Sequence, residues 1–202
     1  MKAELLRLKT ATSILGLVNN VNYHKIEKTS IVNGEGIRVV LWCSGCGIRC
    51  KGCHNPETWD LKSGKPFDDE ARKALYDAVN KPYIKGITLS GGHPLEDENL
   101  PEVFAIITYI KENFPDKDIW LYTGWTLTAD DFTKSTTFDN SLVNQILVMC
   151  DVVVDGRYIE GLRDITLRFR GSLNQRIIDV KNTIASNEIV LWNGGKFNDI
   201  SQ

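Results

Sequence analysis

"IRVVLWCSGCGIRCKGC", residues 37–53, runs from an almost continuously apolar stretch straight into a loop holding four of the chain's five cysteines. A strand covered on both faces has this composition. The cysteines therefore follow the carboxyl end of a strand, the place where α/β sheets keep their ligands. Similar short runs recur at "GITLSG" (86–91), "IWLYTG" (119–124), "VMCDVVVDG" (148–156), "RIIDV" (176–180) and "EIVLW" (188–192). Between them the period changes. "DDEARKALYDAV" (68–79) has an acidic first turn and apolar residues at Ala71, Ala74, Leu75, Ala78 and Val79. "NLPEVFAIITYIKENF" (99–114) places Leu100, Val103, Phe104, Ile107, Ile110 and Phe114 on one face, with Asn99 as N-cap and Pro101 in the first turn. A shorter helix is expected around 141–147.

Strands alternating with helices imply βαβ units and a mostly parallel sheet. The 202 residues fall short of the roughly 250 of a complete eight-stranded barrel. The expected fold is therefore α/β, an open partial (β/α) barrel of five or six mostly parallel strands. No internal repeat, low-complexity segment or linker divides it, so residues 21–202 read as a single domain. Residues 1–20 read as an extension, with translation expected to start at Val21.

The composition, 42% apolar and 25% charged with a formal charge of −2, is that of an ordinary globular chain. This balance argues against a broad nucleic-acid footprint, and no apolar run approaches the roughly 18 residues needed to span a membrane. The start lacks the small-residue cleavage site of a signal peptide. Tightly clustered cysteines, odd in number, point to metal ligands or reactive thiols in a reducing cytoplasm rather than to disulfides.

Cys43, Cys46, Cys50 and Cys53 are spaced C-x2-C-x3-C-x2-C. Structural zinc sites usually separate two C-x2-C knuckles by a dozen or more residues, so a separation of three makes zinc awkward. Cys43 ends the strand pattern, where its side chain is free to pack. The remaining C-x3-C-x2-C loop offers three thiolates, enough for three irons of a four-iron cluster. The fourth iron then stays open to substrate, whereas a fully ligated cluster mainly passes electrons.

This loop resembles that of the radical S-adenosylmethionine (SAM) superfamily. Segments such as "NYHKIE", "IVNGEGIRVVLW", "SGCGIRCKGCHNPETWD", "ITLSGGHPL", "DVVVDGRYIE" and "LRFRGSLNQRIIDV" are similar to those of the anaerobic ribonucleoside-triphosphate reductase activating proteins, from about Asn22 to about Val180. The resemblance implies one [4Fe-4S] cluster on Cys46, Cys50 and Cys53, with SAM chelated at the open iron. Reductive cleavage of SAM then gives a 5′-deoxyadenosyl radical, which takes hydrogen from a glycine of the reductase. It also implies a reductant such as a flavodoxin, and no catalytic residue beyond the cluster and SAM.

Gly91 and Gly92 occupy the family's Gly-Gly-acid-Pro segment, whose backbone receives the SAM amine; read alone they are a tight turn. His93 replaces the acid, either accepting from the amine or lying solvated in the loop. Gly52 stands where many superfamily members keep an aromatic against adenine. His54 either contacts the adenine or packs under the loop. Thr123, Asp155 and Arg157 end strands and are candidates for SAM, the last two alternatively as an ion pair fixing a loop. The "NGEG" turn (33–36) either borders the incoming glycine loop or is an ordinary turn. Arg168, Arg170 and Arg176 shape the SAM pocket, meet the reductase or are solvated. Cys150 reads as core. The alternative functions are an activase of another glycyl-radical enzyme, of formate-lyase type, and a non-catalytic iron–sulfur or zinc protein.

Overall fold

The computed structural model describes residues 21–132 and 142–194; the extension at 1–20 and the first residue of the helix expected at 141–147 lie outside them. One sheet of seven strands organises the described residues: β1 (Asn22–Ser30), β2 (Arg38–Cys43), β3 (Lys65–Pro66), β4 (Gly86–Gly91), β5 (Asp118–Tyr122), β6 (Val152–Asp155) and β7 (Arg176–Asp179). Their spatial order is β3-β1-β2-β4-β5-β6-β7. β2, β4, β5 and β6 are parallel, while β1, β3 and β7 add antiparallel margins.

The α/β class and the parallel centre match the expectation; the five or six strands become seven. β1 escaped because only Tyr23 and Ser30 of its nine residues are buried and its pairing to β2 is irregular, so it lacks a clean alternation. The cysteine loop consequently follows the second strand of the chain, not the first. The expected strand at 148–156 begins only at Val152, because Val148 and Met149 finish a helix; a short apolar run does not distinguish the two. "EIVLW" makes a single bridge, Leu191 to Ile178, rather than a strand.

Among the described residues four helices, α1 (Asp69–Val79), α2 (Leu100–Asn113), α3 (Leu142–Met149) and α4 (Val180–Ser186), connect or flank the strands. None of the described helices is long and apolar enough to cross a membrane. Asp68 caps α1, its carboxylate accepting from the Ala71 amide at 2.9 Å. Asn99 precedes α2 but makes no side-chain cap. Its amide instead donates to the carbonyls of Ser44 and His93, at 2.9 and 3.1 Å. That side chain ties the cysteine loop to the loop after β4.

The sheet's two faces differ in chemistry. Val39, Leu41 and Cys43 of β2, Ile87 and Leu89 of β4, Ile119 and Leu121 of β5 and Val153 of β6 join the main apolar core with residues of all four helices. The alternate residues, Arg38, Val40 and Trp42, then Thr88 and Ser90, then Trp120 and Tyr122, take the other face, as a period of two requires. Near the strands' amino ends this second face is closed by Arg38, which is fully buried. Its guanidinium donates to Thr88 Oγ1 at 2.8 Å and to the Ile87 carbonyl at 2.7 Å, pairs with Asp118, and lies over the Trp120 ring. Burial pulls the Arg38 pKa down, and Asp118 opposes that shift.

Removing one partner of a buried pair strands the other's charge. Asp118→Ala should therefore lower stability by about 3 kcal/mol, within the span such losses show. Denaturant unfolding checks this; a loss below about 1 kcal/mol, the scale of an exposed pair, would show that the backbone carbonyls alone hold the guanidinium.

Candidate functional site

At the carboxyl ends of the parallel strands the second face opens into a cavity of about 520 Å³, within the range of small-molecule sites. Trp42 comes from β2, Ser90 and Gly91 from β4, Tyr122 from β5, and Thr123, Gly124 and Gly156 from the loops just beyond β5 and β6. Cys46, Cys50 and Cys53 line the same cavity, each partly buried and unpaired. Cys43 belongs to the helix-side core, where burial pushes its thiol to about 12, and Cys150 is buried there too. The alternation of β2 explains the difference: Cys43 shares its face with Leu41, not with Trp42.

The loop owes its shape to backbone bonds. The amides of Gly45 and Cys46 donate to the carbonyls of Thr58 and Trp59, at 2.8 and 3.0 Å. The Gly92 amide donates to the Cys43 carbonyl at 2.8 Å and the His93 amide to the Gly45 carbonyl at 2.6 Å. Gly45 and Gly52, with φ of 92° and 73°, and Arg49 at 47° allow the chain to curl. Amide hydrogens accordingly reach sulfur: Asn55 N lies 3.4 Å from Cys53 Sγ. Burial raises the Cys46 thiol, partly offset by the amides of Arg49 and Ile48. Among the described residues no group of three or more His, Cys, Asp or Glu side chains gathers as a single ion would require. Three unpaired thiols lining one roomy cavity are a donor set that fits a polynuclear iron–sulfur group.

Of the other expected residues, His54, Gly91, Gly92, His93 and Thr123 all line the cavity. His54 is exposed and packs against Tyr158 at 5.4 Å rather than under the loop. Three are placed elsewhere. Gly52 sits outside the lining, where a Cβ would meet the Glu160 carboxylate at 2.9 Å. Asp155 is fully buried, bound by the Arg176 guanidinium and by the Leu127 amide at 2.9 Å. Its ion-pair partner is thus Arg176, not Arg157. Arg157 is exposed on the far side of the cysteine loop and donates to the Ile48 carbonyl at 3.4 Å.

His93 is not a solvated loop histidine. It is 1% exposed, its Nε2 is 2.8 Å from Thr123 Oγ1 and its Nδ1 is 3.3 Å from Glu96 Oε1. The same Glu96 oxygen accepts from the Gly47 amide at 2.7 Å, and Thr123 Oγ1 accepts from the Trp125 amide at 3.2 Å. These bonds select one tautomer: Nδ1–H donates to Glu96, and Nε2 accepts from the Thr123 hydroxyl. Both ring nitrogens are then occupied, so the imidazole has no lone pair left for a ligand amine. Glu96, three residues on, is thereby engaged with both His93 and the Gly47 amide and braces the cysteine loop.

Burial holds the His93 pKa below the ordinary imidazole range although Glu96 pulls the other way. A histidine with a lowered folded pKa binds fewer protons folded than unfolded, so its contribution is complete above the unfolded pKa near 6.5. That contribution is lost as pH falls from there toward the folded value, by at most about 1.4 kcal/mol per pH unit. Chemical denaturation between pH 5 and 7.5 should show a shallower pH slope for His93→Gln than for the parent chain. Parallel curves would mean that protonation of His93 is not linked to folding.

Glu27, Tyr158 and Gln175, which no sequence motif marks as site residues, also line the cavity, and Arg170 joins them there. Their signal is weak, since each lies far from the cysteines in sequence. The arginines of "RFRGSLNQR" separate: Arg168 lies over Phe169, Arg170 lines the cavity and donates to the Gln175 carbonyl at 2.8 Å, and Arg176 holds Asp155. In the "NGEG" turn only Asn33 reaches the cavity wall.

Residues 32–178 match the family described as a 4Fe-4S single cluster domain. The chain is 38% identical over 157 residues to the anaerobic ribonucleoside-triphosphate reductase-activating protein of Escherichia coli K12, covering 77% of this chain and 96% of that one. The protein of the same name from Enterobacteria phage T4 is 38% identical, with 78% and 93% covered. The one from Vibrio cholerae is 39% identical over 159 residues, with 78% and 97% covered.

Proposed function

Because the chain belongs to the anaerobic ribonucleoside-triphosphate reductase-activating proteins, we propose that it is a radical SAM activase that generates the glycyl radical of such a reductase. The observation that carries this reading is the sorting of the cysteines. The three thiols of the C-x3-C-x2-C loop line one cavity with the Gly91-Gly92 backbone, while Cys43 and Cys150 are packed away. Three ligands to a [4Fe-4S] group leave one iron open, as catalytic metal sites require. When bound, that group supplies the electron that splits the SAM sulfonium, yielding the 5′-deoxyadenosyl radical that takes hydrogen from the partner's glycine.

The chain's own residues bind and position. Cys46, Cys50 and Cys53 hold the irons, and the Gly91-Gly92 backbone receives the SAM amine. His54 and Tyr158, in ring contact at 5.4 Å beside the cysteine loop, offer a face suited to adenine stacking. Among the described residues that line the cavity, Arg170 is the only permanent cation, and it is suited to the SAM carboxylate. Thr123, fixed by His93, shapes the wall between. No acid–base pair is needed, since the cofactors carry the chemistry and the protein orients them and excludes water. The open sheet, read as a partial barrel of radical SAM type, leaves the cavity mouth free for a protein loop. The electron comes from a carrier such as a flavodoxin.

Anaerobic reconstitution tests the cofactor half of this reading. It should give about four irons and four sulfides per chain, and SAM should alter the electron paramagnetic resonance signal of the reduced group. A chain that takes up only zinc and ignores SAM would overturn it.

A further inference from the structure

Behind the cysteine loop lies a second hollow of about 340 Å³. Cys50 and Tyr158 line both it and the main cavity, forming the wall between them. Three cations surround the hollow, Arg49, Lys51 and Arg157, all exposed, with the Lys51 side chain 92% accessible. The one carboxylate in its lining, Glu160, is 3.6 Å from the Lys51 amine. Ile159 of the same lining is 40% exposed, and Leu162, two residues past Glu160, is 39% exposed. A positive rim beside exposed apolar residues stands on a chain whose formal charge is −2. The patch is therefore local, and not a consequence of a basic composition.

We infer that this hollow is the docking face for an acidic one-electron carrier protein, which delivers its electron through Cys50. The inference rests on the proposed cluster at Cys46, Cys50 and Cys53. During turnover the main cavity holds SAM and the partner's glycine loop, so a bulky donor cannot enter there. The hollow shares Cys50 with the main cavity and so offers a separate approach to that residue. A flavodoxin hydroquinone anion would release one electron, becoming its neutral semiquinone, and the iron–sulfur group would be reduced by that single electron. Weak electron-transfer encounters use small interfaces, and complementary charge speeds them more than it tightens them.

The test compares two reductants of the reconstituted chain by stopped-flow absorbance: an acidic flavodoxin hydroquinone and photoreduced 5-deazariboflavin, which is small and uncharged. With flavodoxin the rate should fall as potassium chloride is raised. Lys51→Glu should slow it at low salt by about tenfold, and Lys51→Glu with Arg157→Gln by more, within the range of electrostatic steering. Flavodoxin binding, measured by calorimetry at low salt, should weaken in parallel. Reduction by deazariboflavin, iron content and SAM affinity should not change. Equal flavodoxin rates in parent and variants would overturn the docking face. So would a variant that is reduced normally by deazariboflavin but then fails to activate the reductase, since the patch would belong to the reductase contact. Loss of iron in the parent chain would instead defeat the cluster reading, which separates the two failures.

Discussion

Alanine in place of Cys46, Cys50 or Cys53 is expected to abolish SAM cleavage, while alanine at Cys43 or Cys150 leaves it intact. The three loop thiols line the cavity; the other two are buried among Leu41, Ile106 and Ile146 and their neighbours. Loss of an outer partner of a metal ligand already costs about 10- to 100-fold, so loss of a ligand itself should exceed a hundredfold. Cys43→Ala deletes one buried sulfur from a packed site and should cost about 1–3 kcal/mol of stability without touching iron content. Counting iron and 5′-deoxyadenosine for the five variants separates these outcomes. Wild-type iron in Cys50→Ala, or an iron-free Cys43→Ala that still folds, would reassign the ligands.

The second large effect is expected at Gly92. A Cβ there would lie 2.4 Å from the Gly45 carbonyl oxygen and 3.0 Å from that of Thr58, and both are backbone. No side chain can swing aside to make room. Gly92→Ala should thus push the cysteine loop away from β4 and break the bond from the Gly92 amide to Cys43. Overpacking of this kind costs about 1–3 kcal/mol, and SAM binding should weaken more than tenfold if, as proposed, this backbone receives its amine. Gly91 is held at φ 100° with a Cβ position 2.7 Å from the Cys43 amide, so alanine there should behave alike. Calorimetric titration with SAM under anaerobic conditions measures both. Unchanged affinity in Gly92→Ala would mean that the glycines serve only as a turn.

Much of this site is legible in the sequence because its parts are local. The cysteine spacing, the glycine pair and the strand end at Thr123 are each short signals that a parallel sheet brings together at one edge. What the sequence hides is pairing across distance. Asp155 and Arg157 are near neighbours in the chain, yet Asp155 bonds to Arg176 across the β6–β7 ladder and Arg157 turns outward. His93 reads as a substituted ligand, but Glu96, three residues on, gives its imidazole a structural partner. Asn99 looks like a helix cap because of its position; its amide is drawn away by two carbonyls that only the folded loops supply. β1 is hidden for another reason. It is a margin strand with few buried residues, and apolar periodicity reports burial rather than pairing.

The most direct test of the central claim is electron paramagnetic resonance of the reconstituted chain mixed anaerobically with reductant, SAM and an anaerobic ribonucleoside-triphosphate reductase. The expected result is a glycyl radical on the reductase that appears only with SAM, with 5′-deoxyadenosine formed alongside it. An intact, reducible iron–sulfur signal that SAM perturbs, with no glycyl radical on the reductase, would contradict it.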